Sequence, residues 1–137
     1  MDRDYKYLVD DAINASKNSY SPYSNFKVGA ALLAKSGKVY SGCNVENSSY
    51  GATNCAERTA LVKAISEGEK EFEAIAIVGG LDFNFDDICF PCGICRQSLS
   101  EFCDDDMRVV LAKYVGENKE IEIKEFRLGD LIPNTFR

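Results

Sequence analysis

The sequence predicts an α/β chain built as a three-layer α/β/α sandwich around a mixed five-stranded sheet, and three observations carry that prediction. Helical and strand-like patterns follow one another in the order αββαβαββ, with a short terminal helix. Phe72 to Gly79 reads Phe-Glu-Ala-Ile-Ala-Ile-Val-Gly and leaves little room for polar alternation, as a strand covered on both faces requires. No repeat, low-complexity tract or Pro/Gly/Ser linker interrupts the 137 residues, so residues 1–137 are expected to form a single domain.

The elements follow in order. Asp4 to Lys17 places Tyr5, Leu8, Ala12 and Ala15 at helical spacing, with Asp2 or Asp4 available as a cap. Phe26 to Ala34 and Lys38 to Val45 are β-rich runs joined by Lys35-Ser36-Gly37, which reads as a hairpin with glycine at the turn. A second helix is expected from Asn54 to Ser66, stopping near Gly68. After the Phe72 to Gly79 strand comes a long loop, and Pro91 then precedes a third helix, Gly93 to Phe102, with Ile94, Leu99 and Phe102 on an apolar face. Met107 to Tyr114 and Ile121 to Phe126 read as two further strands joined across Gly116-Glu117-Asn118.

Composition narrows the chemistry. The chain has six cysteines, no histidine, and 16 basic against 22 acidic residues for a formal charge of −6. Without imidazole there is no Ser-His-Asp triad, no Cys-His pair and no His-ligated zinc. Proton transfer near neutral pH must fall to a carboxylate, thiol, lysine or tyrosine of shifted pKa, or to metal-bound water. The negative balance, with seven acidic residues and one Arg between Asp82 and Asp106, argues against a nucleic-acid partner. The mixed charges of the first residues do not read as a secretory signal, and no apolar run approaches the roughly 20 residues of a membrane helix, so a cytoplasmic protein with no membrane partner is expected. In a reducing compartment six unevenly spaced cysteines point to metal or catalysis rather than to a disulfide framework.

Two cysteine elements stand out. Cys92-Gly93-Ile94-Cys95 lies directly after Pro91, where both sulfurs can reach one metal from a helix start. Alone, such a pair can equally be a redox couple, half a structural zinc site or two buried small side chains. Cys55-Ala56-Glu57 opens the preceding helix, and together they spell C-x-E…P-C-x-x-C. That resembles the all-cysteine form of the zinc deaminase signature. Three thiolates leave one tetrahedral position open for water, and Glu57 can sit beside it as a proton carrier without coordinating. The centre is net negative, so a compensating cation is needed, and Arg58 lies on the same helical face as Cys55. Alone, Arg58 could equally be a solvated helix residue. Cys89, Cys92 and Cys95 also form C-x-x-C-x-x-C, the opening of a ferredoxin run, but position 99, where the fourth ligand should come, is Leu. Cys43, Cys89 and Cys103 are expected to be free, partly buried thiols.

Nearly the whole chain is similar to the small, single-domain cytidine deaminases. The likeness is carried by Ser21-Pro22-Tyr23-Ser24-Asn25-Phe26-Lys27-Val28-Gly29-Ala30-Ala31, Gly42-Cys43-Asn44-Val45-Glu46-Asn47, Ser49-Tyr50-Gly51, Cys55-Ala56-Glu57-Arg58-Thr59-Ala60, Pro91-Cys92-Gly93 with Cys95-Arg96-Gln97, and Leu131-Ile132-Pro133 with Phe136. The resemblance implies the deaminase fold, a homotetramer with shared active sites, and one Zn2+ per subunit. It implies hydrolysis of cytidine and deoxycytidine to the uridine products and ammonia, as in pyrimidine nucleoside salvage. By matched position it implies Cys55, Cys92 and Cys95 as ligands and Glu57 as proton shuttle. It also implies Asn44 and Glu46 at the ribose hydroxyls, Phe26 on the base face, the Ala56 backbone at the base edge, and Tyr50 and Phe136 reaching in from neighbouring subunits. Each has an ordinary alternative: a surface carboxylate for Glu46, a turn residue for Asn44, core for Phe26 and a frayed end for Phe136. Phe90 and Ile94 depart from the usual small residues and are expected to narrow the pocket or alter the packing under the metal. A deaminase of a related aminopyrimidine or aminated nucleoside antibiotic is the alternative reading on the same scaffold.

Overall fold

A computed structural model describes residues 4–137. Its elements are α1 (Lys6–Ser16), β1 (Phe26–Ala34), β2 (Val39–Cys43), α2 (Ala56–Ser66), β3 (Phe72–Leu81), α3 (Gly93–Phe102), β4 (Arg108–Val115), β5 (Glu120–Arg127) and α4 (Leu128–Leu131). The sheet runs β2-β1-β3-β4-β5. Only β3 and β4 pair in parallel, across the α3 crossover, and the remaining pairs are antiparallel. The expected mixed sheet of five strands is present, and the elements follow one another along the chain in the expected order.

Alternation along β1 sorts the core into two layers. Ala31 and Leu33 face α1 and pack with Leu8, Val9 and Ala12, while Val28, Ala30 and Leu32 face the other way and pack with Ala60, Leu61 and Ala64 of α2 and Leu99 of α3. Both helix layers approach the sheet over glycine. A Cβ on Gly29 would stand 1.9 Å from the Ala12 carbonyl oxygen, and one on Gly42 would stand 2.6 Å from the Ala60 nitrogen. β3 is buried along nearly its whole length, as the missing polar alternation requires.

Several boundaries differ from expectation, for identifiable reasons. Helix α1 starts at Lys6, whose N–H donates to Asp4 Oδ1; Asp2 lies outside the described residues. Its buried face is Leu8, Val9, Ala12 and Ser16, with Ala15 only half-buried. Strand β2 ends at Cys43 and, after one last bond from Asn44 N–H to Val28 O, the chain leaves β1: Val45 exchanges backbone bonds with Asn54, and Glu46 N–H donates to Tyr20 O. Those bonds hold Asn54 extended, which delays the start of α2 to Ala56. On α3 the buried side chains are Cys95, Leu99 and Ser100, so Ile94 and Phe102 do not form the expected apolar face and stand exposed. Cys95 and Leu99 are one helical turn apart, and that pair selects the face turned to the sheet.

Candidate active site

Both helices of the second layer begin at a cysteine. Cys55 is the N-cap of α2 and Cys92 the N-cap of α3, each in an extended backbone conformation, and Cys95 follows in the first turn of α3. Side-by-side packing of α2 and α3 therefore brings the sulfurs together at the helix ends, where the unpaired N–H groups carry partial positive charge. Cys55 Sγ is 3.7 Å from Cys92 Sγ, which is 3.4 Å from Cys95 Sγ. All three lie within 4.8 Å of one another, and among the described residues no further cysteine, aspartate or glutamate completes that group. Cys43, Cys89 and Cys103 are free thiols outside it, as expected.

The electrostatics suit a cation at this point. The Cys55 thiol is pulled down to about 5, first by a hydrogen bond with Cys95 and further by Arg58 and Cys92. Cys95 is pushed up correspondingly, because it donates to the Cys55 sulfur. Arg58 reaches Cys55 Sγ at 3.9 Å and donates to the Thr53 carbonyl at 2.9 Å, while its buried Nε has no partner. A guanidinium held over sulfur, with a buried donor to spare, fits an anionic thiolate centre rather than three neutral thiols. The donor set therefore fits one soft divalent metal with an open fourth position.

Glu57, in the first turn of α2, is 4% exposed. Burial pushes its carboxyl up from 4.5 to about 7, and the Cys55 thiolate acts in the same direction. It shares a cleft of about 190 Å³ with Val28, Asn44, Thr53, Cys55, Ala56, Cys89, Phe90 and Cys92. A buried carboxyl poised near neutral pH beside three convergent sulfurs is equipped to accept and return a proton.

The other expected site residues distribute around this cleft. Asn44 lines it, but its amide is largely committed: Oδ1 accepts from Val28 N–H and the Ser19 hydroxyl, and Nδ2 donates to Phe26 O. One Nδ2 hydrogen remains for a ligand. Glu46 and Tyr50 line an adjoining cleft with Tyr23, Ser24 and Asn47, and Thr53 belongs to both. Glu46 accepts from Tyr23 and Ser24 N–H and from the Ser24 hydroxyl, and the Ser24 bond is the main reason its carboxyl lies below the ordinary value. The Phe26 ring borders Cys89 over Gly79, at the edge of a third cleft rather than inside the one holding Glu57. Phe90 lines the Glu57 cleft and packs on Phe126 at 5.5 Å between centroids, whereas Ile94 is exposed and does not line that cleft. Tyr50 and Phe136 are 80% and 83% exposed. Ser24 and Thr53 are site residues that the sequence reading passed over, although the first lies in a stretch already singled out; Ser24 meets a carboxylate 22 positions away, whereas Thr53 accepts from Arg58 through its backbone carbonyl, which its side-chain identity does not signal.

Comparison with known proteins decides the family. Residues 2–113 match the model of the cytidine and deoxycytidylate deaminase zinc-binding region. The chain belongs to that family. Among its members, a cytidine deaminase of Halalkalibacterium halodurans is 47% identical over 136 residues, covering 99% of this chain and 95% of the relative. One of Sporosarcina psychrophila is 44% identical over 133 residues, covering 97% and 91%. The crystal structure of the Burkholderia pseudomallei cytidine deaminase superposes with a TM-score of 0.82 at 43% identity, covering 98% of this chain and 100% of that one. The family is zinc-binding, and the cluster of Cys55, Cys92 and Cys95 is the place in this member able to hold one ion.

Proposed function

We propose that this chain is a single-domain cytidine deaminase that hydrolyses cytidine and deoxycytidine to uridine and deoxyuridine with release of ammonia. The observation that carries the reading is Glu57, a buried carboxyl with a pKa of about 7, beside three sulfurs at two helix starts. Cys55, Cys92 and Cys95 would hold the zinc, which when bound would supply Lewis acidity toward the attacking water. Glu57 takes the proton of the attacking water and delivers it to N3 of the pyrimidine. The same carboxyl then assists departure of the amino group at C4, so one residue serves as base and acid in turn. Arg58 offsets the charge of the thiolates. The Ala56 N–H, in the first turn of α2 where backbone donors have no helical partner, reads the base edge.

Asn44 and Glu46 take the ribose hydroxyls, and Phe26 offers its face to the base. Among the described residues the cleft around Glu46 is lined by no lysine or arginine, and Lys27, outside that lining, is the minor cationic influence on its carboxyl. An ionised carboxylate there repels a 5′-phosphate, which favours nucleosides over nucleotides. Exposed Tyr50 and Phe136 support a homotetramer in which each site is finished by neighbouring subunits. Six cysteines, none of them in a disulfide, support a reducing, cytoplasmic location, and the products suit pyrimidine salvage. No described helix is long and apolar enough to cross a membrane.

The test is ammonia release from cytidine by the purified protein, before and after metal removal and with zinc restored. Turnover that requires zinc supports the reading, and full turnover by metal-free protein rejects it. Deoxycytidine 5′-monophosphate in the same assay should be a far poorer substrate than deoxycytidine.

A further inference from the structure

Residues 132–137 lie along α3, the helix that supplies Cys95, and the bonds that keep them there converge on one end. Gln97 Nε2 donates to the Phe136 carbonyl at 2.8 Å. One residue on, Arg137 turns back onto the C-terminus of α3. Its Nε donates to Ser100 O at 3.0 Å, and its Nη2 donates to Cys103 O at 3.2 Å and pairs with Asp105 Oδ1 at 3.0 Å. The last carbonyls of a helix lack partners within it and carry partial negative charge, so a guanidinium is well matched to cap them. Nearer the start of the tail, Arg96 Nη1 donates to Leu131 O.

Between these anchors the Phe136 ring is held out from the surface, 83% exposed. A bulky apolar ring costs free energy in water, and its backbone is fixed on both sides by bonds from α3. The arrangement spends polar contacts on the main chain and on Arg137 while leaving the aromatic side chain free for something outside the subunit.

We propose that Arg137 is a positioning residue for catalysis: by capping α3 it fixes the Phe136 ring at the height and angle needed to enter a neighbouring subunit's nucleoside site. This rests on the reading above that Phe136 completes the site of a second copy. It adds the anchor, and it makes α3 a shared support, holding a metal ligand at one end and the ring offered to the next site at the other.

Steady-state kinetics on cytidine should be measured for the parent, Phe136→Ala, Arg137→Ala and Arg137→Lys, each with zinc content and sedimentation velocity. Arg137→Ala should raise KM roughly fivefold, equivalent to about 1 kcal/mol of lost aromatic contact, with kcat within about twofold. Zinc per chain and oligomeric state should match the parent. Arg137→Lys should recover part of the loss, since one ammonium can reach a carbonyl but cannot fork to both. If Phe136→Ala raises KM and Arg137→Ala does not, the anchor is refuted while the role of Phe136 stands. If Phe136→Ala leaves KM unchanged, the role of Phe136 fails and takes the anchor with it. Loss of zinc or of assembly in Arg137→Ala, with kcat falling in parallel, would make Arg137 structural and overturn the proposal.

Discussion

Replacing Glu57 by glutamine in the metal-free protein should change how stability depends on pH, and burial of the carboxyl sets the size of the change. Glu57 is 4% exposed, and its pKa rises from 4.5 to about 7 in the folded chain. Well below pH 4.5 the group is protonated in both folded and unfolded chains and costs nothing. Between pH 4.5 and 7 the folded chain keeps a proton that the unfolded chain has released, so stability falls as pH rises, and above pH 7 the loss is complete. At about 1.4 kcal/mol for each tenfold difference in acidity, the loss at pH 8 is about 3 kcal/mol. Glu57→Gln keeps the shape and removes the ionisation. Its advantage over the parent should therefore grow by about 2–3 kcal/mol between pH 4.5 and pH 8. Cys55 titrates in both proteins, so to first order its contribution cancels in the difference. The assay is urea unfolding followed by circular dichroism, with chelator and reductant present. A gap that does not widen with pH would refute the argument that burial holds this carboxyl protonated.

Ser24→Ala removes the main donor to Glu46, so the Glu46 carboxyl should move up toward its ordinary value and KM for cytidine should rise about fivefold, consistent with loss of one charge-assisted bond. The acid limb of kcat/KM should move to higher pH, and an unchanged limb would detach Glu46 from binding. Arg58→Ala removes the cation beside Cys55; the pH–rate profile should shift upward, with partial recovery in Arg58→Lys, and an unmoved profile would show that the helix ends alone balance the thiolates. Gly29→Ala places a methyl 1.9 Å from the Ala12 carbonyl and should cost about 3 kcal/mol or more, visible as a fall in urea midpoint; near-parent stability would show that α1 can lift off the sheet freely.

Much of the fold was legible because its signals are local. Helix α3 spans the residues expected of it, set by Pro91 and the first cysteines, and the unbroken apolar run of β3 marked a doubly covered strand. The boundaries of β2 and α2 moved through bonds made outside each element. Val45 pairs with Asn54 and Glu46 with Tyr20, and no pattern within 38–45 encodes that departure from β1. The face of α3 was misread because Ile94 looks like core by composition, whereas Cys95 and Leu99 are the residues aimed inward. The C-x-E…P-C-x-x-C pattern marked the three sulfurs and Glu57 as candidates through its resemblance to the zinc deaminase signature. The bonds that commit the amide of Asn44 to β1, and those that hold Glu46 and Phe136 in place, come from elsewhere in the chain and required the folded arrangement.

In the proposed mechanism three thiolates would hold zinc while Glu57, which is not a ligand, moves the protons. Its most direct test is zinc content and cytidine turnover measured together on parent and Glu57→Gln. Both proteins should carry about one zinc per chain, with turnover in the variant reduced by about 10²-fold or more. A variant that retains zinc and still releases ammonia at near the parent rate would contradict it.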